Sequence, residues 1–583
     1  MYRTHYNGEL RLTHLHQHVT LVGWVAKKRN LGSLLFIDLR DRSGIVQVFV
    51  KTDELAIPDI RNEYLIQVKG IVSKKDVANP NLATGEIEIL AEEIKLINKA
   101  NATPMIVADE TDALEEVRLK YRYLDLRRPA MQNKLMIRAK IVKAVHEYLD
   151  NYNFVEIETP ILTKSTPGGA RDFLVPSRVH PGSFYALPQS PQIYKQLLMI
   201  GGMERYYQIA RCFRDEDLRA DRQPDFTQID IEASFLEQDE FLALMEGLLA
   251  KIFKDVKNID IQLPLRRLSY DDALNTYGSD KPDTRFGLTI QDIKPVLASS
   301  EASLFVESSF IKAIVVPNVG QTTSRKTNDE LNLIARKYNL KAVAILKYEE
   351  TGLTGSLLKL LTEQEQHELI NKLGLKLHDI VIVANGNYNR DVCFALGAIR
   401  NHYARTLKLI QPNTYDLLWM THFPLFSKDE KTGNYVAEHH AFTRPCDEDL
   451  HYLDTDPSKA YAQAYDIVIN GYEAGGGSMR IFDHDTQYKI FQVMGMSEED
   501  IKNKFGFFVD AFNYGTPPHG GIAFGLDRMA MILSGTDNIR DVIAFPKNLA
   551  AVCPMSEEPT PVDPKQLEEL SIMIKIAQEQ GDK

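Results

Sequence analysis

The chain has 583 residues, of which 44% are hydrophobic and 25% are charged, and its formal net charge is -12. This length allows several domains with separate cores, and the acidic total argues against wholesale wrapping of nucleic acid. The four cysteines are scattered without a CxxC pair, which argues against a disulfide scaffold or zinc ribbon and fits a cytoplasmic location. We recognise no signal-peptide core and no run of membrane-spanning length, so we expect no membrane partner.

Residues 1–102 predict a small β-barrel. Apolar and polar residues alternate in short segments separated by turns, at residues 19–25, 34–39, 45–50 and 64–70. Five short strands in under a hundred residues favour a closed barrel of the OB type.

A basic turn is expected just before residue 34 of this barrel. It carries Lys27, Lys28 and Arg29, and Phe36 follows closely. Basic residues beside an exposed aromatic ring suit stacking of single-stranded bases. The local pattern alone favours the alternative, which is a solvated turn followed by a core phenylalanine.

A polar connector at residues 103–124 leads to a second predicted domain, whose first part covers residues 125–282. A helix is predicted over residues 133–153, because Ile137, Ile141, Val145 and Leu149 form one apolar stripe. The chain then turns extended up to Pro160, which cannot donate to a β-ladder and belongs at an edge or interface.

A charged hairpin is the most informative feature of this part. Strand-like segments at residues 206–210 and 226–231 flank a loop rich in arginine and acidic residues. Its arginines can hold a polyphosphate, because the planar guanidinium donates two parallel hydrogen bonds and stays charged. They are Arg211, Arg214, Arg219 and Arg222.

Residues 283–415 predict an inserted α/β domain with few clustered reactive side chains. The second part of the catalytic-looking domain resumes at residues 416–555, and an acidic helical extension covers residues 556–583.

Two carboxylates in this second part are candidate Mg²⁺ ligands. Asp466 and Glu473 would lie on opposite faces of a continuous strand, but a bend near Asn470 and Gly471 would bring them together. Mg²⁺ prefers such hard oxygen ligands. The alternative is a plain glycine turn with surface acids.

An anion site is predicted where an apolar strand ends at Gly525 and a helix starts near Asp527. Arg528 would lie in the first helical turn, where unpaired N–H groups already favour anions. The alternative is an N-cap aspartate followed by an exposed arginine.

Taken together, these motifs resemble the class II aminoacyl-tRNA synthetases over nearly the whole chain. Residues 154–160, 213–226 and 525–528 are similar to the three motifs of that class. The barrel, the insert, the run at residues 277–285, the histidine pair at 439–440 and the run at 475–480 narrow the resemblance to the bacterial-type aspartyl-tRNA synthetases.

The resemblance implies an α+β multidomain fold. Its parts would be an OB-type anticodon-binding barrel, a catalytic domain built on a six-stranded antiparallel sheet with flanking helices, and the inserted α/β domain. It also implies a homodimer formed through the first motif around Pro160.

The implied reaction is the ATP-dependent attachment of L-aspartate to tRNA(Asp) through aspartyl-adenylate, which releases AMP and diphosphate and uses Mg²⁺ with ATP. Two alternatives are an enzyme that charges both tRNA(Asp) and tRNA(Asn), and a non-catalytic paralogue that binds RNA.

The resemblance also implies roles for individual residues, with Arg214 and Arg528 as the catalytic pair. The ATP contacts would be Arg214, Asp215, Glu216, Gln223, Phe226, Glu473, Gly525, Leu526, Asp527 and Arg528. The aspartate contacts would be Gly168, Ser190, Gln192, Lys195, Arg214, Asp230, His439, His440 and Arg480. The metal ligands would be Asp466 and Glu473, and the anticodon contacts would be Arg29, Phe36 and Gln47.

Two positions bear on specificity. Gly168 stands where the family usually has a glutamate that closes over the substrate's ammonium group, which predicts a raised KM for aspartate. Leu31 stands where enzymes that also charge tRNA(Asn) tend to have histidine, which favours a discriminating enzyme.

Overall fold

The computed structural model describes residues 1–165, 170–429 and 432–575. The chain divides into two compact units. The first comprises Met1–Ala139, Leu218–Pro224 and Thr536–Pro564, and the second comprises Lys140–Asp217, Asp225–Gly535 and Lys565–Lys583. In the described ranges, no helix is long and apolar enough to cross a membrane. The domain boundaries given above remain predictions.

A closed five-stranded barrel opens the first unit, as the alternating pattern predicts. Its strand order is β1-β2-β3-β5-β4, and alternate residues point into an aliphatic core. The strands are β1 His18–Leu31, β2 Leu34–Asp41, β3 Gly44–Lys51, β4 Leu65–Lys74 and β5 Ile87–Asn98.

One local prediction in the barrel is wrong. Lys27, Lys28 and Arg29 lie within β1 and pair with β2, so they are not in a turn. An irregularity between Val25 and Lys27 lets the strand continue past the predicted end, and the turn falls at Gly32, whose φ is +71°.

Three helices follow the barrel, and the third confirms the predicted apolar stripe. Ile137, Ile141, Val145 and Leu149 are all buried. The helices are α1 Glu115–Lys120, α2 Arg122–Asp125 and α3 Pro129–Asn151.

The second unit contains the predicted charged hairpin as β9 and β10. The strands of its first part are β6 Val155–Glu156, β7 Leu174–Pro176, β8 Phe184–Ala186, β9 Arg205–Phe213, β10 Asp225–Ser234 and β11 Arg266–Ser269. Its helices are α4 Gln192–Ile200, α5 Gln238–Lys257 and α6 Tyr270–Tyr277.

The insert is a five-stranded sheet with a hydrophobic core on each face. All of its strand pairs are antiparallel, so its helices and strands do not alternate around a parallel sheet. The strands are β12 Gln291–Asp292, β13 Phe310–Val316, β14 Ala344–Glu349, β15 Gly352–Gly355 and β16 Ile380–Gly386, and the helices are α7 Ser303–Glu307, α8 Arg325–Arg336, α9 Glu363–Leu373 and α10 Asn389–Thr406.

The remaining elements complete the large sheet and its helices. The strands are β17 Leu417–Pro424, β18 Phe426–Lys428, β19 Tyr435–Ala437, β20 Tyr461–Ile469, β21 Tyr472–Met479 and β22 His519–Gly525. The helices are α11 Tyr452–Thr455, α12 His484–Val493, α13 Glu498–Ala511, α14 Leu526–Ser534 and α15 Pro564–Glu569.

The large sheet of the second unit has the order β11-β17-β20-β21-β22-β10-β9-β6. Six of these strands, β17 to β9 in that order, are antiparallel, as the resemblance implies. Short parallel strands extend it at both edges, because β11 pairs with β17 and β6 pairs with β9. The sheet therefore has eight strands where six were expected.

Each of the four cysteines is buried with a free thiol, at Cys212, Cys393, Cys446 and Cys553. Burial raises the pKa of the Cys212 and Cys446 thiols to about 12. None of these four cysteines forms a disulfide, as their scattered positions in the sequence predict.

Candidate active site

The charged hairpin places an arginine over an aromatic ring. Phe226 lies opposite Cys212 in the β9–β10 pair, and the guanidinium carbon of Arg214 lies 5.0 Å from the centre of the Phe226 ring. A stacked guanidinium keeps its in-plane N–H groups available for anions. The ATP-binding roles of both residues stay predictions.

A buried network of four ionisable side chains includes two acids of β10, the second strand of the hairpin. Lys195 of α4 is 2.6 Å from Asp230 and 3.2 Å from Glu232, both on β10. Arg480 follows β21 and donates to both oxygens of Glu232, at 2.9 and 3.1 Å. All four side chains are at most 2% exposed. Lys195 and Arg480, the two cations predicted to hold the side-chain carboxylate of aspartate, therefore both contact Glu232.

The network leaves both cations with donor capacity. Arg480 also bonds Ser478 and His440, each at 2.7 Å, so the protein uses four of its five N–H groups. The two acids engage Lys195, which has three N–H groups. Within the part of the chain that the structure describes, one N–H group of each cation therefore has no acceptor.

The pKa values of the two buried acids shift in opposite directions. Burial alone would raise the pKa of Glu232, but Arg480 and Lys195 outweigh it and lower that pKa to about 2. Burial raises the pKa of Asp230, and Lys195 opposes the shift only in part. Glu232 is thus the fixed anion of the network.

The pKa values of His439 and His440 also shift in opposite directions. Burial, reinforced by Arg480, lowers the pKa of His440 well below its usual value. Because Arg480 can only donate, the Nε2 atom of His440 accepts its bond and the ring is neutral. His439 lies with Nε2 3.6 Å from Asp466. Burial opposes its protonation, but Asp466 outweighs burial and the pKa of His439 is raised.

The predicted bend between the two candidate metal ligands exists. Asn470 and Gly471 have φ of +55° and +83° and join β20 to β21, which brings Asp466 and Glu473 together over Gly476. The negative charge of Asp466, followed by burial, raises the pKa of Glu473. A side chain at position 476 would collide with Asp466, since its Cβ would lie 2.5 Å from Oδ1.

Arg528 lies in the first turn of α14, whose N-cap is Gly525, as predicted. Its guanidinium donates to the backbone carbonyl of Glu473, which ties it to the carboxylate pair. Asp527 accepts a 2.8 Å bond from the backbone N–H of Thr227 and thereby fixes the helix start against β10. Leu526 is buried beside it.

Among the described residues, three polar atoms of the predicted aspartate contacts are buried without a hydrogen-bond partner. They are Asp230 Oδ2, Gln192 Nε2 and His439 Nδ1. Buried polar groups are almost always hydrogen-bonded, and exceptions need an explanation. An acceptor at Asp230 and a donor at Gln192 suit a ligand that carries both ammonium and carboxylate groups.

Other predicted residues have more modest surroundings. Ser190 and Glu216 are half-buried, and the exposed Asp215 lies 3.8 Å from Arg171. Gly168 lies outside the described residues. Gln223 belongs to the first unit, where its amide forms two bonds with the backbone of Lys547, at 2.8 and 3.0 Å.

The predicted anticodon contacts share the outer face of the barrel. Arg29 lies opposite Phe36 across β1 and β2, and Phe36 lies opposite Phe49 with ring centres 5.3 Å apart. Gln47 lies on the same face and bonds Glu88 at 3.1 Å. Phe36 is half-buried on the outside, so the core-phenylalanine alternative is wrong.

Glu232 is the functional candidate that the sequence prediction missed. It lies two residues after Asp230 on the same strand and therefore on the same face. The signal was present, because a buried strand face that repeats acids at this spacing requires buried cations.

Comparisons with known proteins agree with this architecture. Residues 114–549 match the family described as tRNA synthetases class II (D, K and N), and residues 19–97 match an OB-fold nucleic acid binding domain. The chain belongs to the class II tRNA synthetases. Within that class, it is 52% identical to proteins named aspartate–tRNA(Asp/Asn) ligase from a Geobacillus species and aspartate–tRNA ligase from Geobacillus kaustophilus.

These matches cover 98% of this chain and 98% and 99% of the two relatives. Among solved structures, the fold is similar to an asparaginyl-tRNA synthetase of Pyrococcus horikoshii complexed with asparaginyl-adenylate, with a TM-score of 0.59 at 19% identity over 94% of this chain and 98% of that one. An aspartyl-tRNA synthetase of Entamoeba histolytica gives a TM-score of 0.56 at 19% identity over 92% and 90%.

Proposed function

We propose that this protein attaches L-aspartate to tRNA(Asp) in two steps, through aspartyl-adenylate. The observation that carries the proposal is the buried Lys195–Arg480 pair, with one N–H group of each cation left over beside the unpartnered Asp230 Oδ2. Two cations suit the side-chain carboxylate of aspartate, and Asp230 suits its ammonium group.

In the first step, an oxygen of the α-carboxylate attacks the α-phosphorus of ATP. The bond from that phosphorus to the bridging oxygen of diphosphate breaks, and diphosphate leaves with the electron pair. The attacking carboxylate is ionised at neutral pH, so the step needs no general base. Rate then comes from alignment of two anions and from neutralisation of charge, for which Arg214 and Arg528 are suited.

Asp466 and Glu473 fit a Mg²⁺ ion, which is commonly held by one or two carboxylates together with phosphate oxygens and water. When bound, the ion would supply positive charge to the phosphates. No group of three or more His, Cys, Asp or Glu side chains suited to a metal occurs within residues 1–165, 170–429 and 432–575. Substrate and water would therefore complete its coordination.

In the second step, a terminal ribose hydroxyl of the tRNA attacks the activated carbonyl carbon, the hydroxyl proton is lost, and AMP leaves. The outer barrel face with Arg29, Phe36 and Gln47 would contact the anticodon, since aromatic rings and basic residues suit unpaired bases. We propose a cytoplasmic location, because tRNA, ATP and aspartate are the reactants.

The pocket explains rejection of asparagine. An amide nitrogen in place of a carboxylate oxygen would point N–H groups at Lys195 and Arg480 and leave their donors unpaired. Rejection of this kind is strong, because buried polar groups lose their partners.

The choice of tRNA rests on a different surface. Leu31 is 67% exposed at the end of β1, and we propose that it favours tRNA(Asp) alone. The relatives carry both kinds of name, so charging of purified tRNA(Asp) and tRNA(Asn) is the test. Equal charging of both would replace the proposal with the non-discriminating alternative.

The decisive experiment is aspartate-dependent exchange of radiolabelled diphosphate into ATP by the purified chain. We expect exchange with aspartate and none with asparagine or lysine. Absence of exchange with all three amino acids would overturn the adenylation step and favour a non-catalytic RNA-binding role.

A further inference from the structure

The bend that joins β20 to β21 decides whether the two candidate metal ligands face each other. Val468 lies opposite Glu473 in this strand pair, so both side chains point to one face, which Asp466 shares two residues earlier on β20. A slip of one residue in the pairing would turn Glu473 to the other face. Because the turn between two strands fixes their pairing, contacts that hold the bend also set the carboxylate pair.

The segment that leads out of the insert is bound to this bend. We call residues 414–416 the exit strap. The side-chain oxygen of Asn470 accepts from the N–H of Asp416 at 2.8 Å, and its amide nitrogen donates to the carbonyl of Thr414 at 3.0 Å. The backbone N–H of Asn470 also donates to the carbonyl of Asp416, at 3.1 Å. Three hydrogen bonds of one residue therefore join the bend to the exit strap.

The segment that leads into the insert lies against the same bend. We call residues 283–287 the entry strap. A Cβ at Gly471 would lie 2.9 Å from the Cβ of Asp283, so the entry strap packs directly on the bend. The hydroxyl of Thr284 donates to the carboxylate of Asp416. The two straps are therefore joined to each other where they meet the bend.

A buried arginine of the insert fixes the entry strap. Arg400 lies on α10 and is 1% exposed. It donates to the carbonyls of Asp283, Phe286 and Gly287, at 2.8, 2.8 and 3.1 Å, and its guanidinium carbon lies 3.9 Å from the centre of the Phe286 ring. A planar guanidinium can reach several carbonyls at once. A continuous series of contacts therefore joins a helix of the insert to the bend.

We propose that the insert positions the candidate metal-binding carboxylates through the two straps, and that Asn470 is the positioning residue where the straps meet the bend. This inference rests on the proposed function, because it assigns Asp466 and Glu473 to a Mg²⁺ ion. Loss of the strap contacts would let the bend move and would weaken binding of the ion. The aspartate pocket keeps its own contacts, since Arg480 follows the opposite end of β21.

The test measures binding of Mn²⁺, a probe for Mg²⁺, to the full chain in the presence of the nonhydrolysable α,β-methylene analogue of ATP. Electron paramagnetic resonance gives the Kd for Mn²⁺. Asn470→Gly removes both side-chain bonds and keeps a residue suited to the positive φ of the bend. We expect it to raise the Kd for Mn²⁺ about tenfold, as loss of an outer contact of a metal site commonly does. The KM for aspartate should stay near the wild-type value.

Two further variants serve as controls for this measurement. Asn339→Gly is the matched control, because Asn339 has a φ of +60° against +55° at Asn470, and its side chain is exposed. A general effect of glycine at a left-handed position would appear in both variants, but we expect Asn339→Gly to bind Mn²⁺ like the wild type. Asp466→Asn locates the ion, since loss of a direct ligand should abolish saturable Mn²⁺ binding.

A second change tests the straps without alteration of the bend, in case Asn470→Gly fails to fold. Thr284→Val removes the hydroxyl that joins the entry strap to Asp416 and keeps the shape of the side chain. It should also raise the Kd for Mn²⁺, whereas Thr406→Val, at an exposed hydroxyl near the end of α10, should not. A double-mutant cycle of Asn470→Gly with Thr284→Val should be non-additive, because both changes act through Asp416.

Failure of the proposed function and failure of this inference give different results. A wild-type chain without diphosphate exchange would overturn the proposed function. With an active wild type, an unchanged Kd for Mn²⁺ in Asn470→Gly, or in Thr284→Val if the first variant is unfolded, would overturn this inference alone. The same holds if Asn339→Gly weakens Mn²⁺ binding equally, if the KM for aspartate rises as much as the Kd for Mn²⁺, or if Mn²⁺ binding survives in Asp466→Asn.

Discussion

Glu232 shows how one buried carboxylate can set the properties of a binding pocket. It holds Lys195 and Arg480 side by side, although like charges repel, and it accepts three of their N–H contacts. Asp230 is the second acid of the network and lies against Lys195, so the two cations face two buried carboxyl groups before substrate binds. The pocket is thus arranged to present N–H donors without an unpaired buried ion.

Removal of that charge should disable the pocket. We expect Glu232→Gln to raise the KM for aspartate about tenfold or more and to destabilise the fold by about 3–5 kcal/mol, because it breaks a buried ion pair from one side. Steady-state exchange kinetics and thermal unfolding measure both effects. The control is Glu92→Gln, at an exposed glutamate paired with His18. An unchanged KM for aspartate would contradict the assigned role.

At Gly168, in contrast, we expect a substitution to improve aspartate binding. Restoration of a carboxylate by Gly168→Glu should lower the KM for aspartate several-fold, because an ammonium group gains an anionic partner. The KM for ATP should stay the same, and Gly169→Glu serves as the neighbouring control. If kcat/KM for aspartate fails to rise, other groups already bind the ammonium adequately.

The positions of individual side chains were predictable where a local sequence motif defines them. Arg214 over Phe226 and Arg528 in the first turn of α14 both lie where their motifs predicted. Glu232 was missed because acids repeated on a strand face do not identify the cations that pair with them. Lys195 and Arg480 lie 37 and 248 residues away from it in the chain.

At the scale of elements, β10 is the central example. The prediction was a half-buried strand, but eight of its ten residues, from Thr227 to Ser234, are buried. Its polar face is covered because α4 and β21 bring Lys195 and Arg480 to the acids. Sequence alternation marked the two faces correctly, but it could not show that both faces are covered.

The neighbouring strand β22 approaches this acid without a side chain. A Cβ at Gly521 would lie 1.7 Å from Glu232 Oε2 and 2.5 Å from the carbonyl of Ile231. We expect Gly521→Ala to displace Glu232, lower the melting temperature and abolish most aspartate-dependent exchange. At Gly520, the added methyl meets chiefly the flexible Met479 side chain, at 2.6 Å from sulfur.

Gly520→Ala is therefore the matched control and should be clearly milder in both assays. Equal losses of stability and exchange in the two variants would mean that β22 tolerates a side chain at neither position. That result would contradict a specific contact with Glu232.

At the scale of the whole molecule, the sheet edge at β6 exposes apolar side chains. Val155, Ile161 and Leu162 are 46%, 49% and 52% exposed, next to Pro160. We propose that a second copy covers this edge, in agreement with the homodimer that the first motif implies. An exposed apolar edge is otherwise an aggregation hazard.

A charge placed there should separate the copies. We expect the wild type to sediment as a dimer and Ile161→Asp to shift it toward monomer, because burial of an unpaired carboxylate is unfavourable. Val179→Asp, at another exposed apolar residue, is the control. A wild-type monomer at micromolar concentration would contradict the prediction.

The overall plan was predictable because each part has its own pattern. Strand alternation indicated the barrel, helical spacing indicated α3, and the resemblance supplied the antiparallel core of the large sheet. The two parallel edge strands were not predictable, since β6 spans two residues and β11 four.

The four buried thiols also make the chain a convenient spectroscopic reagent. Maleimides need an accessible thiolate, and burial denies access while it raises the pKa of Cys212, Cys393 and Cys446. A cysteine introduced at the exposed Arg219 would then be the main labelling site on the native chain. A fluorophore can then be attached there without prior removal of any native cysteine.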